Sequence, residues 1–409
     1  MPETLIGQVP DEWHATTLGE LCRIGGGDIQ TGPFGSQLHA SDYVPVGIPS
    51  VMPQNIGDNV IHEDGIARIT EADAERLSRY LLRVGDIVYS RRGDVKRRAL
   101  VRSEQDGWLC GTGCLRVRLG DSADPRFISY YLGHPEVQEW ILRHSVGATM
   151  PNLNTSILSQ VPVVVPPRRT QRAIAAVLGA LDDKIAVNER IASTAESLSI
   201  TLASEDLWNV RIPLGDLAEH VKEQVAPTSI EAARVAHYSL PAFDQGRLPE
   251  ITDPGEIKSA KFRVSAAAVL LSKLNPGTPR VWNVEPDPGL PALASTEFLV
   301  LRPKFGIHPS ELWAVCNQAG FRDDVANKAT GTSNSHQRAR PADILASHVV
   351  DPRSMRTSSR EQIVSLCARA KLARIESQKL ADLRDALLPG LMLGAIQVRD
   401  AEKAVEEAT

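Results

Sequence analysis

The chain carries several short patterns twice, and this repetition limits what it can fold into. Three pairs of segments match in order: Leu18–Leu21 with Leu214–Leu217, residues 82–91 with residues 262–273, and Gly147–Thr149 with Gly331–Ser333. Each half then enters a long run with helical periodicity, which begins near Gln171 in the first half and near Gln362 in the second. We therefore expect two similar globular units, each followed by one long helix, that read two separate pieces of one target.

Composition describes an ordinary globular protein. The 409 residues are enough for two or three domains. No apolar run approaches the roughly 20 residues of a membrane helix, and Met1–Trp13 lacks the pattern of a secretory signal. The cysteines are scattered, and Cys110 and Cys114 lack the second ligand pair that a zinc site would need. We expect a reduced, cytoplasmic protein without a structural metal or a membrane segment.

Two segments predict long helices. Arg168 to about Ser204, and Arg356 to Leu388, repeat apolar residues every three or four positions in a narrow seam, as coiled coils do. The seam residues are Ile174, Leu178, Leu181, Ile185, Asn188, Ala192, Ala195 and Leu202 in the first segment and Ile363, Leu366, Ala370, Ala373, Leu380, Leu383 and Leu387 in the second. Asn188 is either a polar contact that sets the helix register or a plain exposed residue. Pro389 and Gly390 are expected to end the second helix, and the two helices are expected to bind each other antiparallel.

These patterns predict a mixed α/β protein. The predicted segments are a first globular domain at residues 1–167, a helix at 168–206, a second globular domain at 207–353, a second helix at 354–390 and a tail at 391–409. Within the first domain, Val84–Ser90 is predicted to be a strand. Cys114–Leu119 alternates apolar and basic residues, which predicts a half-exposed strand with its basic side chains on one face. Pro125–His144 is predicted to be one helix.

Sequence motifs for catalysis are missing. The chain has no GxxxxGK[ST] loop, no HExxH and no GxSxG. Asn275-Pro276-Gly277 fails the Asn/Asp-Pro-Pro-aromatic motif of adenine methyltransferases. A nuclease pattern can be forced onto Asp244, Glu256 and Lys258, but such matches are frequent by chance. We therefore predict that the chain is not an enzyme and holds no cofactor itself.

Charge is unevenly distributed. The formal net charge is −5, which by itself argues weakly against nucleic-acid binding. One short stretch is strongly basic, with Arg91, Arg92, Lys96, Arg97, Arg98 and Arg102 against the single acid Asp94. Such a run is either a solvated surface or a patch for phosphates.

Three segments resemble one known family, the specificity (S) subunits of type I restriction-modification enzymes. Residues 166–188 are similar to that family's conserved pattern of a Pro-Pro strand end, a Gln-Arg opening and a helix reading Leu-x-x-Leu-Asp-x-x-Ile. Gly32–Leu38 resembles an element found early in its recognition domains, and Leu388–Val398 resembles its usual C-terminal ending. The second unit departs from the first, with Ser265-Ala266 where the first has Gly85-Asp86.

The resemblance implies a function. Each globular unit would be a target recognition domain that reads one half of a split double-stranded DNA site, and the two helices would form an antiparallel spacer. The chain would dock two modification subunits, which bind S-adenosylmethionine and methylate adenine. Restriction subunits, which translocate and cut DNA, would join them, so ATP and magnesium are expected on partners and not on this chain.

Candidate DNA contacts follow from this implied function. An Arg can grip guanine through two hydrogen bonds while neighbouring cations hold phosphates. The predicted contact residues lie in the basic run and in polar loops of both units: Arg91, Arg92, Lys96, Arg97, Arg98, Thr149, Asn152, Asn154, Lys273, Asn275, Arg280, Ser333, Asn334, His336, Arg338 and Arg340. Two other functions stay open. One is a scaffold whose two heads bind proteins, and the other is a nuclease at Asp244, Glu256 and Lys258.

Overall fold

The computed structural model describes residues 3–147, 151–204, 210–330 and 337–408. It divides into two compact units, Met1–Asp183 with Leu380–Thr409, and Lys184–Lys379. Both units mix helices with sheets, so the predicted fold class is confirmed. Within the described ranges, no helix combines the length and the apolar character that crossing a bilayer requires.

The first unit begins with strands and ends in a long helix. Its strands are β1 (Glu3–Thr4), β2 (Gly7–Gln8), β3 (His14–Thr17), β4 (Asp28–Thr31), β5 (Tyr43–Val44), β6 (Ile48–Val51), β7 (Ala67–Ile69), β8 (Ile87–Ser90), β9 (Arg98–Leu100), β10 (Leu109–Cys110), β11 (Cys114–Arg118) and β12 (Pro162–Val165). Its helices are α1 (Leu18–Ile24), α2 (Glu71–Arg76), α3 (Pro125–Tyr131), α4 (Pro135–His144), α5 (Thr155–Ser159) and the first part of α6 (Arg168–Leu202).

The second unit repeats this order. Its strands are β13 (Arg211–Pro213), β14 (Ala218–Val221), β15 (Gln224–Val225), β16 (Val235–Tyr238), β17 (Glu250–Thr252), β18 (Lys261–Arg263), β19 (Ala268–Ser272), β20 (Val281–Val284), β21 (Ala292–Ala294), β22 (Phe298–Pro303) and β23 (His348–Val350). Its helices are α7 (Leu214–Leu217), α8 (Leu240–Gly246), α9 (Pro309–Cys316), α10 (Ala319–Asn327), α11 (Pro341–Ala346) and most of α12 (Thr357–Leu393). The last helix, α13 (Val398–Ala408), belongs to the first unit.

The main antiparallel sheet has the same strand order in both units, while the second sheet has four strands in the first unit and five in the second. The antiparallel sheet β4-β11-β8-β9 of the first unit has the strand order of β14-β22-β19-β20 in the second. Each unit also has a second sheet with one parallel pair, β6 with β10 in the first and β16 with β21 in the second. A short antiparallel ribbon joins β3 to β12, and another joins β13 to β23. The repeat seen in the sequence is therefore a repeat of topology.

The predicted exposure of β11 is wrong. It forms a strand as predicted, but β11 lies between β4 and β8 and is buried along most of its length. Arg116 is 3% exposed and binds Asp28. Arg118 donates to both carboxylate oxygens of Asp86, at 2.7 and 2.6 Å. The alternation of basic and apolar residues in β11 therefore reflects internal ion pairs and not a solvent-exposed face of the strand.

Two predicted helix boundaries also differ from the structure. Residues 125–144 form two helices, because the chain turns at Gly133 and restarts with Pro135 at the first helical position of α4. Helix α12 does not stop at Pro389 but continues to Leu393, and Gly394 follows with φ 69°. Helix interiors rarely hold proline, because proline lacks the backbone N–H for one helical hydrogen bond. Here Leu391 and Met392, which follow Pro389 in the chain, are fully buried.

Most seam residues of α6 and α12 are buried, and Ile185, Leu202, Leu366 and Leu383 are partly buried. In the second unit, Ala192 and Ala195 pack against Ala370 and Ala373. Glu196 binds Arg374 and Ser199 lies at Cys367, so residue numbers fall along one helix as they rise along the other and the two segments run antiparallel. Alanines at the contact let the two backbones approach closely. In the first unit, Arg384 of α12 binds Asp182 of α6 at 2.8 Å.

Asn188 is fully buried in this seam, which excludes the plain exposed alternative. Neither polar atom of its amide has a hydrogen-bond partner among the residues that the structure describes, and the hydroxyl of Ser377 on α12 is in the same condition. An unpaired buried polar group costs about 1–3 kcal/mol. Such a residue can still be kept because it favours one register of the two helices.

The first prediction concerns this residue. Asn188→Leu should raise the free energy of unfolding by about 1–3 kcal/mol, because it removes an unpaired buried amide. Urea unfolding followed by circular dichroism measures the change. Ala192→Leu is the matched control, and it should lower stability by about 1–3 kcal/mol because the seam there has no room for a larger side chain. A loss of stability in Asn188→Leu would mean that the amide is satisfied in solution.

Candidate nucleic-acid interface

In the first unit, the start of the basic run lies on a loop fastened to a neighbouring segment. The loop leaves β8 at Ser90, and the Arg91 amide donates to the Gly113 carbonyl at 2.9 Å. Leu153 then donates to the Arg91 carbonyl at 2.8 Å, and Gly93 donates to Pro151 at 3.3 Å. These bonds hold residues 91–93 beside residues 151–153, just before α5.

The second unit builds the same loop after β19. The Lys273 amide donates to the Glu297 carbonyl at 3.0 Å, and Ala339 donates to the Lys273 carbonyl at 3.0 Å. Asn275 donates to Gln337 at 2.8 Å. Residues 273–275 therefore lie beside residues 337–339, just before α11.

These hydrogen bonds give a residue-by-residue correspondence between the two loops. Position by position, Arg91 matches Lys273, Arg92 matches Leu274, Gly93 matches Asn275, Gly113 matches Glu297, Asn152 matches Arg338 and Asn154 matches Arg340. We call residues 91–93 with 151–154 the first reading loop, and residues 273–275 with 337–340 the second reading loop.

Backbone conformation explains one residue in each reading loop. Gly93 has φ 76°, and the matched Asn275 has φ 48°. Only glycine adopts this left-handed region freely, and asparagine is among the few other residues that tolerate it. Asn275 was predicted to contact DNA, and in this structure it forms the turn of the loop.

The remaining cations of the first unit differ in exposure. Arg92 is exposed and Arg91 is half-buried. Arg97 is exposed and binds Asp94 at 3.1 Å, while Lys96 lies 4.0 Å from Glu139. The charge of the run is therefore partly neutralised, and Arg92 is an exposed cation with no salt bridge among the described residues.

Arg98 is internal although it belongs to the basic run. Its Nε donates to the Ser129 carbonyl at 2.7 Å and its Nη1 to Asp58 at 2.8 Å. Gly133 leaves room for this guanidinium, since a Cβ there would come within 1.9 Å of Arg98 Nη2. Asn154 also has a local role, because its side chain accepts from the Ile157 amide at 2.8 Å and caps α5. The side chains of Arg98 and Asn154 therefore hold the fold together, although Asn154 lies on the first reading loop.

In the second unit, two predicted arginines are held by carboxylates. Arg280 donates to both oxygens of Asp244, at 2.7 and 2.8 Å, and its side chain is 16% exposed. Arg338 donates to both oxygens of Glu297, each at 3.1 Å, and its side chain is 48% exposed. The bonds to Glu297 raise the pKa of the Arg338 guanidinium above its usual range. Arg340 is exposed at the start of α11, and Lys273 is half-buried.

Four predicted residues, Thr149, Ser333, Asn334 and His336, lie outside the described residues. The sequence search also missed one residue, because it looked for cations and not for their partners. Glu297 lies 41 positions before Arg338 in the chain, and only the pairing of the β19 loop with both segments brings them together.

The two carboxylates of the forced nuclease pattern have other partners. Asp244 is bound by Arg280, and Glu256 accepts from the Thr252 hydroxyl. Within the described part of the chain, no three His, Cys, Asp or Glu side chains are grouped to hold a metal ion. The cysteines of the chain are free and buried, and burial raises the pKa of the Cys110 thiol to about 12.

Two α/β units of similar topology each carry a cation-bearing loop at the same place. Residues 10–197 match the family model described as the type I restriction modification DNA specificity domain. This match agrees with the resemblance seen in the sequence.

Similar proteins carry the same description. The chain is 22% identical over 197 residues to the putative type I restriction enzyme MjaX specificity subunit of Methanocaldococcus jannaschii, covering 46% of this chain and 44% of that protein. It is 22% identical over 202 residues to the MjaIX specificity subunit of the same organism, covering 49% and 45%. The chain thus spans less than half the length of these curated relatives. Their names agree with the prediction of a specificity component and not a catalyst.

A solved structure shares the fold over nearly the whole chain. The type I restriction-modification S subunit from M. genitalium superposes with a TM-score of 0.55 at 16% identity, covering 94% of this chain and 96% of that one. At this identity the likeness concerns the fold.

The second prediction separates internal from surface cations of the basic run. Arg98→Ala should lower the free energy of unfolding by about 1.5–3 kcal/mol, because it removes hydrogen bonds that a charged group makes inside the protein. Arg92→Ala, six positions away and exposed, should change it by less than about 0.5 kcal/mol. Urea unfolding of the two variants measures both effects. Equal stabilities would show that Arg98 is a surface residue in solution.

Proposed function

We propose that the chain is the DNA-recognition subunit of a type I restriction-modification system and that its two heads read the two halves of a split DNA site. The observation that carries this proposal is the pair of matched reading loops. A duplicated loop with accessible cations suits a ligand that offers similar chemistry at two places, and double-stranded DNA does so along its backbone.

The chemistry of DNA suggests a different role for each kind of contact residue within a head. Phosphate contacts give affinity and register, and base-edge contacts give sequence. Arg92 and Arg340 are exposed and stand at the two reading loops, so we assign them to phosphates. Residues at the centre of each loop, Asn152 and Arg338, are the candidates for base contacts, since Asn and Arg make paired hydrogen bonds to base edges.

The chemistry of the system would reside on partners. We propose that this chain docks two adenine methyltransferase subunits, which bind S-adenosylmethionine, and that restriction subunits with ATP and magnesium join the complex. The match of residues 10–197 to the family model supports this assignment. The complex would act in the cytoplasm, where its DNA is.

A scaffold that binds proteins through its heads is the second candidate. The exposed cations on both reading loops favour DNA over this candidate, because the phosphate backbone offers negative charge to both heads.

The third prediction tests DNA binding. The double variant Arg92→Ala with Arg340→Ala, one change in each head, should weaken binding of DNA to the full chain in its complex. The slope of log K against log salt should become shallower by about 0.9 for each phosphate that the variant no longer neutralises. Fluorescence anisotropy at several salt concentrations measures both quantities.

The matched control for this test is Arg190→Ala, an exposed cation on α6 that belongs to neither reading loop. It should leave the affinity and the slope unchanged in the same assay. If the double variant is folded and its slope is unchanged, the loop cations face solvent and do not contact phosphates.

The fourth prediction tests the partners. Co-expression with the modification subunit of the same system should yield a complex of two modification subunits to one copy of this chain, as measured by native mass spectrometry. A stable chain that methylates or cleaves DNA without any partner would contradict the proposal.

A further inference from the structure

At one matched position the two heads carry different chemistry. The first reading loop has Asn152 where the second has Arg338, and Gly113 of the first unit matches Glu297 of the second. The first head therefore has no side chain where the second has a carboxylate. The Arg338–Glu297 pair is a feature of the second head alone.

The geometry of this pair leaves one edge of the guanidinium open. Arg338 uses Nε and Nη2 to bind the two oxygens of Glu297. A guanidinium has five N–H donors in a planar fork, so this side-on contact leaves the two N–H groups of Nη1 and the outer N–H of Nη2. Among the described residues, Glu297 is the only hydrogen-bond acceptor of the Arg338 side chain. The open end presents two parallel donors.

The pair is also held in place. The Arg338 backbone exchanges two hydrogen bonds with Thr330, at 2.9 and 3.0 Å, and Leu274 pairs with it from the other side. Glu297 is fixed by its carbonyl, which accepts from Lys273. A side chain that is already ordered loses less conformational entropy when it binds.

Of the arginine–carboxylate pairs of the second unit in the described residues, only this one lies on a reading loop. Arg353 is also bound side-on, by Asp351, and is 44% exposed, but it stands outside the reading loop. Arg280 is bound side-on but is only 16% exposed. Arg302 is 44% exposed, but its nearest carboxylate oxygen, on Glu219, lies 3.8 Å away. Arg338 combines a side-on pair and exposure to solvent with a place on the reading loop.

We propose that Arg338 reads a guanine in the half-site bound by the second head, and that Glu297 positions it for this contact. Two parallel N–H donors match the O6 and N7 acceptors that guanine shows in the major groove, and no other base offers this pair. Glu297 acts through Arg338, because a carboxylate facing DNA without its cation would be repelled by the phosphates. The inference rests on the proposed function and names one base contact within it.

The test is selection from a random library of double-stranded oligonucleotides followed by sequencing. It uses the full chain, alone and with its modification subunits. The wild-type chain should enrich a two-part motif with a guanine at one position of one half. Arg338→Ala and Arg338→Lys should lose the preference at that position alone, by roughly 5- to 150-fold for guanine over other bases. Lys should fail because it keeps the charge but not the fork.

Two further variants separate positioning from charge. Glu297→Ala should weaken the same preference while retaining some of it, because the guanidinium remains but is no longer held. Arg302→Ala is the matched control and should leave every position of the motif unchanged. Thermal melts by circular dichroism establish that each variant is folded.

The outcomes distinguish the two proposals. If the wild-type chain enriches no motif in either form, the proposed function fails. If it enriches a motif that Arg338→Ala leaves unchanged, the guanine contact is wrong while DNA recognition stands. A uniform loss of affinity with all base preferences retained would make Arg338 a phosphate contact and would also overturn the inference.

Discussion

Backbone hydrogen bonds hold the reading loops in place, and the rest of the proposed interface depends on this constraint. In each head, the chain leaving a central strand is held by the segment that precedes a short helix, through amides and carbonyls and not through side chains. Backbone bonds do not depend on which side chains the loop carries. The loop can therefore keep one shape while Arg91 and Arg92 are exchanged for Lys273 and Leu274. A shape held in this way brings residues far apart in sequence, such as Glu297 and Arg338, to one surface.

Burial decides which cations are free to act. Arg98, Arg116 and Arg118 are basic residues of the same unit, and each is bound by a carboxylate or carbonyl inside the protein. An Arg whose guanidinium is buried and paired cannot contact a ligand, and removing it leaves its partner without its counter-charge. The basic run of the sequence therefore overstates the charge that a ligand meets. The net charge of −5 and a DNA-binding role are compatible when a few exposed cations stand at the right loops.

Sequence patterns predicted the elements whose environment is set locally. The seam of α6 and the strand at β8 were recoverable because apolar spacing reports them directly. The duplication of the heads was recoverable because short motifs recur in the same order. The exposure of β11 was not, because its partners Asp28 and Asp86 lie far from it in the chain. The end of α12 was placed too early for a similar reason, since buried contacts after Pro389 outweigh a local breaking signal. For the candidate site, the sequence indicated polar and basic loops. It did not indicate the carboxylates and carbonyls that bind some of their cations and so distinguish structural from accessible residues.

The comparison of matched positions shows how two heads of one fold come to differ. In the first head Arg118 faces Asp28 across the strand pair and is bound by Asp86, whereas the matched Arg302 faces Glu219. The strand register puts Ala268 in place of Asp86, and not Ala266 as the sequence repeat indicated. The strands keep their register while the ion pairs on them are exchanged. The reading loops follow the same rule, with Asn152 and Gly113 in one head and Arg338 and Glu297 in the other. Strands and loops that are held by backbone hydrogen bonds leave their side chains free to vary. A change of two residues can therefore alter what a head binds without altering how it folds.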